Sequence, residues 1–335
     1  MDKIKIAHGS GGEYTHKLIN EIFVKHFDNP FLQRKEDSAV LPEEEEKIVF
    51  TTDSHVVKPL FYPGGNIGKL SVTGTINDLA VMGARPEWLS CGMIIEEGLE
   101  LETLDKIVRS MAKTAASQKV EIVTGDTKVV NKGAGDKIFI NTTGIGFLPG
   151  HISTGVEKIE PGDKILINGN IGEHAAAIMM TREKFNINFP VRSDCACLYP
   201  MIRDLTGKVE GIKIMRDPTR GGLATTLNEF TSSSQKFGIR ILEDRIPVRE
   251  EIKGMCALLG LDPLYLANEG RLVLIVAPDA AEETLEIMGK HTTDEYPEII
   301  GEVTENNRGR VVLQTAIGSE RLLDMQSGQM LPRIC

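Results

Sequence analysis

Pro149-Gly-His-Ile-Ser-Thr-Gly-Val-Glu-Lys-Ile-Glu-Pro-Gly162 divides this chain of 335 residues into two halves. Pro-Gly pairs at both ends of the stretch are typical of turns, because proline fixes its own backbone and glycine tolerates conformations closed to other residues. On either side, short apolar runs alternate with longer segments of helical period. We therefore predict an α+β protein built from two domains of α/β type.

Four segments follow from this division. They are a Gly-rich start with a helix at 1–40, a first domain at 41–150, a second domain at 160–315 and a flexible tail at 319–335. In the first domain we predict strands at 47–52, 88–95, 120–124 and 137–147, and helices at 67–82 and 101–115. In the second we predict strands at 164–168, 212–215, 239–242, 272–277, 298–303 and 310–313, and helices at 173–185, 223–233, 249–259 and 280–290.

Composition narrows the class of protein. Hydrophobic residues make up 41% and charged residues 26% of the chain, values typical of a globular protein. The net charge of −10 disfavours nucleic acid as a partner, because phosphate contacts need a basic face. The longest uncharged stretch is broken by glycine and proline, so we expect no membrane span. Five cysteines and the lack of a signal-peptide pattern predict a reducing compartment, the cytoplasm.

Several common sites are missing from the sequence. Near Gly68-Lys69 the Walker A spacing fails, since Pro63 and Leu70 stand where glycine and serine or threonine are needed. The dinucleotide pattern fails where Pro149 takes the place of its third glycine. Cys195-Ala-Cys197 has no second cysteine pair, so a structural zinc is not expected. The role of these two cysteines stays open.

Aspartates instead recur in one pattern. Asp53, Asp126 and Asp217 each close an apolar run and are followed by Ser, Thr or Pro-Thr. Asp37 and Asp78 are two further candidates, the latter inside an apolar helical segment. Carboxylates that converge repel one another unless a cation lies between them, and Mg²⁺ bridging nucleotide phosphates is the ordinary solution. The alternative is that each aspartate is a helix cap or a turn residue.

A second motif lies directly after Asp217. Arg220, Gly221 and Gly222 lead into an apolar helix, where backbone N–H groups and a guanidinium can bind an anion. The alternative is that Thr219 is a plain helix N-cap.

The last residue, Cys335, is the third feature. Pro332 keeps the segment before it extended, and about 15 extended residues reach about 50 Å. A thiol on such a tail could visit a partner and then the protein's own active site. The alternative is a chain end without a role.

Together these motifs closely resemble the HypE family of hydrogenase maturation proteins, which belongs to the superfamily of aminoimidazole ribonucleotide (AIR) synthetase and selenophosphate synthetase. The resemblance runs from the first residues to the last. Its motifs are the Gly-rich start, Glu36-Asp37-Ser, Thr-Thr-Asp53-Ser, Thr75-Ile-Asn-Asp78, Gly125-Asp126-Thr-Lys128, Asp217-Pro-Thr-Arg-Gly-Gly222, Asn-Glu269-Gly and Pro332-Arg-Ile-Cys335. The terminal cysteine distinguishes this family from its relatives.

The resemblance implies a PurM-like, AIR synthase-like fold and a homodimer in which the N-terminal domains pair into a β-barrel with ATP along the interface. It also implies carbamoyl dehydratase activity. A HypF-type carbamoyltransferase would load Cys335, and ATP and Mg²⁺ would convert the thiocarboxamide to a thiocyanate. A HypC–HypD complex would accept the cyanide for the iron of a [NiFe]-hydrogenase.

The resemblance also implies roles for individual residues. Cys335 is the carrier, and Lys128 and Glu269 are the two candidate bases. Asp37, Asp53, Asp78 and Asp217 are the expected Mg²⁺ ligands. The expected ATP and phosphate ligands are Gly11, Gly12, Asp37, Asp53, Thr75, Asn77, Asp78, Asp126, Arg220, Gly221 and Gly222.

Two alternatives remain at this point. An ATP-dependent kinase or amidoligase of the same superfamily would use the same aspartates but would not need Cys335. A non-catalytic thiol carrier would need Cys335 but neither Asp78 nor ATP hydrolysis.

Overall fold

A computed structural model describes residues 12, 13, 16, 39–41, 47–182, 191–292 and 296–325. Of the expected site residues, Gly11, Asp37 and Cys335 lie outside the described residues, as does most of the predicted Gly-rich start and helix at 1–40.

The first half forms a five-stranded sheet in the order β1-β2-β7-β5-β6. Only the β5–β6 pair is parallel; the other neighbours are antiparallel. The strands are β1 (Ala39–Leu41), β2 (Lys47–His55), β5 (Arg85–Glu96), β6 (Glu121–Val130) and β7 (Ile138–Leu148), with β3 (Phe61–Tyr62) and β4 (Gly65–Asn66) forming a separate small hairpin.

Two helices, α1 (Ile67–Val81) and α2 (Leu101–Ser117), pack with this sheet. Helix α1 begins where the Asn66 side chain accepts the N–H groups of Gly68 and Lys69, the usual form of an N-cap. Almost all of its residues are buried, as expected for a helix without a polar face. It packs on the first sheet and also contacts elements of the second half of the chain, so it lies between the two halves.

The second half forms a seven-stranded sheet in the order β14-β13-β10-β12-β8-β11-β9. The β10–β13 pair is parallel and the remaining pairs are antiparallel. The strands are β8 (Lys164–Ile167), β9 (Ile212–Arg216), β10 (Gly238–Leu242), β11 (Val273–Val276), β12 (Glu298–Thr304), β13 (Val311–Gln314) and β14 (Glu320–Leu322).

Among its described residues, this half has five α-helices. They are α3 (Glu173–Arg182), α4 (Tyr199–Thr206), α5 (Gly222–Ser234), α6 (Glu250–Leu259) and α7 (Ala281–Gly289). The core is continuous between the halves: buried residues of α1 and α2 pack in one cluster with residues of α3 and α6. Within the described residues no helix is long and apolar enough to cross a membrane.

Most predicted elements are present in the structure. Strands β1, β3 and β4 have no predicted counterpart, because each is only two or three residues long. Helix α4 has none either, because its 8 residues are too few to establish a helical period. Asp126 lies in the middle of β6 rather than at its end, since β6 continues to Val130. Glu320–Leu322 pair with β13, so the sheet includes the first residues of the segment expected to be a tail.

Candidate active site

A polar cavity of about 230 Å³ opens between the two halves of the molecule. Its walls come from β2, α1, the segment that joins β9 to α5, and the loop before β11. The lining residues are Thr52, Asp53, Ser54, His55, Gly74, Asp78, Asp217, Thr219, Arg220 and Glu269. Four carboxyl groups and one guanidinium therefore meet at one place.

Strand β2 contributes through its alternation. Thr51, Asp53 and His55 point to the same, inner side of the sheet, because side chains alternate along a strand. The Asp53 carboxylate accepts the Ser54 N–H at 2.8 Å through Oδ1 and lies 3.4 Å from His55 Nε2 through Oδ2. The guanidinium of Arg220 is 3.9 Å from Asp53 Oδ1. Asp53 is thus oriented by its own strand and faces a cation from the other half.

His55 is buried between Thr142 and Asp53. Its Nε2 lies 3.3 Å from Thr142 Oγ1 and 3.4 Å from Asp53 Oδ2. Thr142 Oγ1 also lies 2.9 Å from the Ser71 carbonyl oxygen, which ties this group to α1. Burial lowers the pKa of His55, and the nearby Asp53 opposes that effect only in part.

Helix α1 supplies Asp78 directly to the cavity. Its carboxylate accepts a hydrogen bond from Thr51 Oγ1 at 2.9 Å. Gly74 lies one turn earlier, where a Cβ would be 3.1 Å from His55 Cε1 and 3.3 Å from Asp53 Oδ2. The absence of a side chain at position 74 lets the helix approach β2 closely enough for the two aspartates to share the cavity.

Two expected ATP ligands on the same helix do not line the cavity. Thr75 Oγ1 is 2.6 Å from Thr142 Oγ1, and both residues are buried. The Asn77 side chain is also buried: its Oδ1 accepts the Leu198 N–H at 2.8 Å, and its Nδ2 donates to the Ala196 carbonyl at 3.1 Å. Asn77 therefore ties α1 to the second half.

The segment between β9 and α5 brings Asp217, Thr219 and Arg220 to the cavity. The N-cap of α5 is Gly221 and has no side-chain cap, so the alternative that Thr219 caps this helix is wrong. Gly221 and Gly222 have φ angles of 76° and 61°, which favour glycine. The backbone of the Leu264–Leu266 segment also passes so close to Gly222 that a Cβ there would be 2.6 Å from the Leu266 carbonyl oxygen.

Glu269 is buried at the cavity, and its pKa is raised well above the ordinary value. Desolvation is the largest cause, followed by the negative charges of Asp53, Asp194 and Asp217, while Arg220 acts in the opposite direction. A raised pKa makes a carboxylate a stronger base than it is in water.

Lys128, the second candidate base, lies elsewhere. It is exposed on the edge strand β6 and pairs with Asp126 at 3.1 Å. In the sheet, Asp126 is the neighbour of Gly92 and Lys128 is the neighbour of Ile94 on β5. Both positions are on the face of the sheet that points away from α1 and the cavity. Gly12 is buried, and its carbonyl accepts the His16 N–H at 3.2 Å. None of these residues lines the cavity of this chain.

The cysteines that had no predicted role are buried or half-buried thiols. Burial raises the pKa of both Cys195 and Cys197, and the Cys197 thiol contacts Thr73 Oγ1 at 3.7 Å. Thiols of this kind are inert as nucleophiles at neutral pH.

The structure thus brings together Asp53, Asp78, Asp217, Arg220 and Glu269 from the expected set. Sequence reasoning missed Thr51, Thr142 and Asp194 as neighbours of these residues. The period of β2 could have indicated Thr51 and His55, because they alternate with Asp53. No local signal indicates Asp194, which lies in a segment without regular structure.

Fold and site together define the class of protein. Residues 35–148 match the family described as AIR synthase related protein, N-terminal domain, and residues 160–314 match the corresponding C-terminal domain. The first match covers the first sheet, the second covers every strand of the second sheet except β14, and the cavity is lined by residues of both matches.

Within that class the chain belongs to the HypE family of carbamoyl dehydratases. It is 46% identical to carbamoyl dehydratase HypE of Escherichia coli (strain K12), over the full length of both chains. Among solved structures, HypE in a HypE–HypF complex superposes with a TM-score of 0.87 at 47% identity, covering 92% of this chain and 99% of that one. HypE in complex with ATP superposes with a TM-score of 0.82 at 44% identity, covering 99% and 100%.

Proposed function

We propose that this protein uses ATP to dehydrate a carbamoyl group bound to the thiol of Cys335, giving a thiocyanate. The observation that carries the proposal is the meeting of Asp53, Asp78, Asp217, Arg220 and Glu269 in one cavity. It is supported by full-length similarity to a carbamoyl dehydratase and by the structure of a relative with ATP.

The chemistry explains why ATP is needed. The oxygen of a thiocarboxamide is a poor leaving group, so it first attacks the γ-phosphorus of ATP and releases ADP. The C–O bond then breaks, the oxygen leaves as part of phosphate, and the nitrogen loses both protons. The product is Cys335–S–C≡N. Overall, ATP and the carbamoyl group become ADP, phosphate and thiocyanate. The carbamoyl group loses one oxygen, which ends in the phosphate, and two protons, so the elements of water lost by the carbamoyl group replace the water that ATP hydrolysis would consume.

Glu269 is the base that this cavity favours. It is buried among the other carboxyl groups, and its raised pKa makes it a stronger base for removing protons from nitrogen than an ordinary carboxylate. Lys128 is exposed and does not line the cavity within one chain. We propose that Lys128 acts across a dimer interface, where its edge strand would face a second copy.

Mg²⁺ fits the oxygen donors of the cavity. The carboxylates of Asp53, Asp78 and Asp217 are hard ligands of the kind that Mg²⁺ prefers, and Asp37 would be the fourth. Among the described residues no three acidic, histidine or cysteine side chains already form a group that could hold a metal ion, so the nucleotide phosphates would complete the coordination. When bound, the ion neutralises charge on the transferred phosphoryl group.

Arg220 and the glycines after it would hold the phosphates. The guanidinium reaches the cavity from the second half, and the N-terminus of α5 has no side-chain cap. Uncapped N–H groups at a helix N-terminus favour an anion. We assign Gly12, Thr75, Asn77 and Asp126 no direct contact with ATP inside one chain.

The partners are part of the proposal. A HypF-type carbamoyltransferase would load Cys335, consistent with a solved complex between a relative and HypF. A HypC–HypD complex would receive the cyanide for the iron of a [NiFe]-hydrogenase. Because the reaction needs ATP and a reduced thiol, we propose that it takes place in the cytoplasm.

A homodimer is the proposed assembly. The outer face of the first sheet carries the exposed apolar side chains of Phe50, Trp88 and Ile94, and both faces of its edge strand β6 are open. Exposed apolar groups of this extent are typical of protein interfaces. Pairing of two such sheets would cover them and form a β-barrel.

The test is the intact mass of protein carbamoylated by its partner, before and after Mg·ATP is added. We expect the adduct on Cys335 to lose the mass of one water. An adduct that stays unchanged with ATP would favour the thiol carrier. No adduct on Cys335, together with ATP turnover that survives Cys335→Ala, would favour a kinase or amidoligase.

Asp78→Asn tests the cavity itself. We expect dehydration to slow at least about a hundredfold, because the variant removes a charge that faces the metal and phosphates. Loading of Cys335 should be unchanged. The matched control is Asp105→Asn on α2, whose carboxylate is exposed and pairs with Arg109 on the same helix. If Asp78→Asn dehydrates as fast as the control, the cavity is not the site of the reaction.

A further inference from the structure

The backbone around Glu269 is held by side chains from outside its own loop. The N–H groups of Glu269 and Gly270 both donate to the carboxylate of Asp194, at 3.1 Å each through Oδ2. On the other side, the Glu269 carbonyl accepts the Ala196 N–H at 3.3 Å and a longer contact of 3.4 Å from Asn77 Nδ2. The two peptide groups that flank the Glu269 side chain are therefore restrained in both directions.

Asp194 is itself held in place. Its side chain is 1% exposed, and its Oδ2 lies 3.5 Å from Arg271 Nε. Arg271 also pairs with the buried carboxylate of Glu173, which is joined by Arg249 at 3.3 Å. The charges of this buried group alternate in sign, so the Asp194 carboxylate cannot rotate away without losing several partners.

The segment that carries Asp194 lies directly against the Glu269 loop. A Cβ at Gly270 would be 2.0 Å from the Asp194 carbonyl oxygen, so only glycine permits this approach. The same segment continues to Leu198, whose N–H donates to Asn77 on α1. One residue further along α1 is Asp78, which lines the cavity. The position of Glu269 is thereby linked to both the segment at 194–198 and the helix of Asp78.

We propose that Asp194 is a positioning residue for the reaction: by accepting the N–H groups of Glu269 and Gly270, it fixes the direction in which the Glu269 carboxyl enters the cavity. The proposal rests on the function proposed above, in which Glu269 removes protons from the substrate. Asp194 does not line the cavity, so it acts through Glu269 alone. A displacement of about 1 Å in a reacting group can reduce a rate about a hundredfold, so a restraint on two peptide groups is enough to matter.

Asp194→Asn is the informative variant, because it keeps the volume of the side chain. The new NH₂ group takes the place of Oδ2, where it meets both loop N–H groups and Arg271 Nε, or of Oδ1, which lies 3.3 Å from the Glu269 N atom. Either orientation sets a donor against a donor and removes the negative charge. Single-turnover dehydration of carbamoylated Cys335 should therefore slow by about tenfold or more. The ATP concentration for half-maximal rate and the extent of carbamoylation should stay within about twofold of the wild type.

A double-mutant cycle separates this role from a structural one. We measure Asp194→Asn in the wild type and in the Glu269→Gln variant. If Asp194 acts through Glu269, its substitution has little further effect on the rate once the Glu269 carboxylate is gone. Equal effects in both backgrounds would overturn the proposal.

Asp163→Asn is the matched control. Asp163 is also a buried aspartate that accepts a backbone N–H, from Glu160 at 2.8 Å, but it lies away from the cavity. A rate loss as large as that of Asp194→Asn would make the effect one of general stability and would contradict the proposal. A rate unchanged in Asp194→Asn would do so directly.

If Asp194→Asn does not fold at the assay temperature, Asp194→Ser replaces it in the same cycle, because its shorter side chain no longer reaches the N–H groups of Glu269 and Gly270. A wild type that fails to lose water would instead remove the proposed function, and the role of Asp194 with it. The wild-type measurement therefore distinguishes the two failures.

Discussion

At the scale of the residue, the surroundings of Glu269 bear most directly on the proposed chemistry. It is buried beside Asp53 and Asp217, and its backbone is held by Asp194. The surrounding negative charges disfavour its ionised form, whereas Arg220 favours it. The same environment that makes Glu269 a suitable base therefore makes its ionised form unfavourable for the folded state.

This environment predicts a pH-dependent stability. Because the pKa of Glu269 is raised in the folded state, the protonated group stabilises the fold below the ordinary pKa of 4.5, and this contribution is lost as the pH rises through the folded-state pKa. Gln resembles the protonated form at every pH. We expect Glu269→Gln to raise Tm relative to the wild type, by more at about pH 8 than at about pH 5.

Thermal unfolding of both proteins across this range checks the prediction. Glu251→Gln, at an exposed position of α6, is the control for the loss of a carboxylate, and its effect on Tm should vary less with pH than that of Glu269→Gln. A Tm difference for Glu269→Gln that shrinks as the pH rises would contradict the assigned direction of the pKa shift.

At the scale of the element, α1 decides how close the parts of the site can lie. Gly68 is near its N-terminus, where a Cβ would be 2.4 Å from the Ile107 carbonyl oxygen of α2. Further along, Gly74 lies against His55 and Asp53. Two glycines thus allow one helix to pack closely against α2 and against β2.

Gly68→Ala tests this close packing. Alanine has the higher helix propensity, but its methyl group would meet a backbone carbonyl that cannot move independently of α2. We expect a loss of about 2 kcal/mol in the free energy of unfolding, because overpacking outweighs the gain in propensity.

The matched control is Gly254→Ala on α6, where a Cβ would have no neighbour within 4 Å. There we expect a gain of about 0.5–1 kcal/mol. Urea unfolding of both variants measures the difference. A gain in stability for Gly68→Ala would contradict the prediction, because it would mean that α1 and α2 can move apart to accommodate the methyl group.

At the scale of the whole molecule, the two sheets differ in what covers them. Helices α1 and α2 pack on one face of the first sheet, while the other face exposes Phe50, Trp88 and Ile94 to between 37% and 45%. Ile94 on β5 lies beside Lys128, which is on the edge strand β6. If this face is the dimer interface, Lys128 lies there as well.

Ile94→Asp should therefore dissociate the proposed homodimer. A charge at the centre of an apolar interface cannot be paired or hydrated there, so we expect the dissociation constant to rise by about a hundredfold or more. Light scattering coupled to size-exclusion chromatography measures the mass. Leu258→Asp, at an exposed position of α6, should leave it unchanged. A wild type that is monomeric at micromolar concentration would refute the dimer.

The sequence was sufficient for most elements and for the carboxylates of the site. The helical spacing around α2 and the apolar runs before Asp53 and Asp217 are local, and local patterns are what the backbone follows when helices and strands form. The resemblance carried by the motifs added Glu269. These residues could be chosen from the sequence because each lies next to an element that the sequence predicts.

Only the tertiary structure decided which of the chosen residues meet. Asp78 and Glu269 are far apart in the chain, and Asn77 beside one of them contacts the backbone of the other. Lys128 follows Asp126 in a motif that resembles the site motifs, yet the register of β6 places it on the outer face. Asp194 has no motif at all. Such contacts depend on how separate elements pack, and no periodicity within one element records that packing.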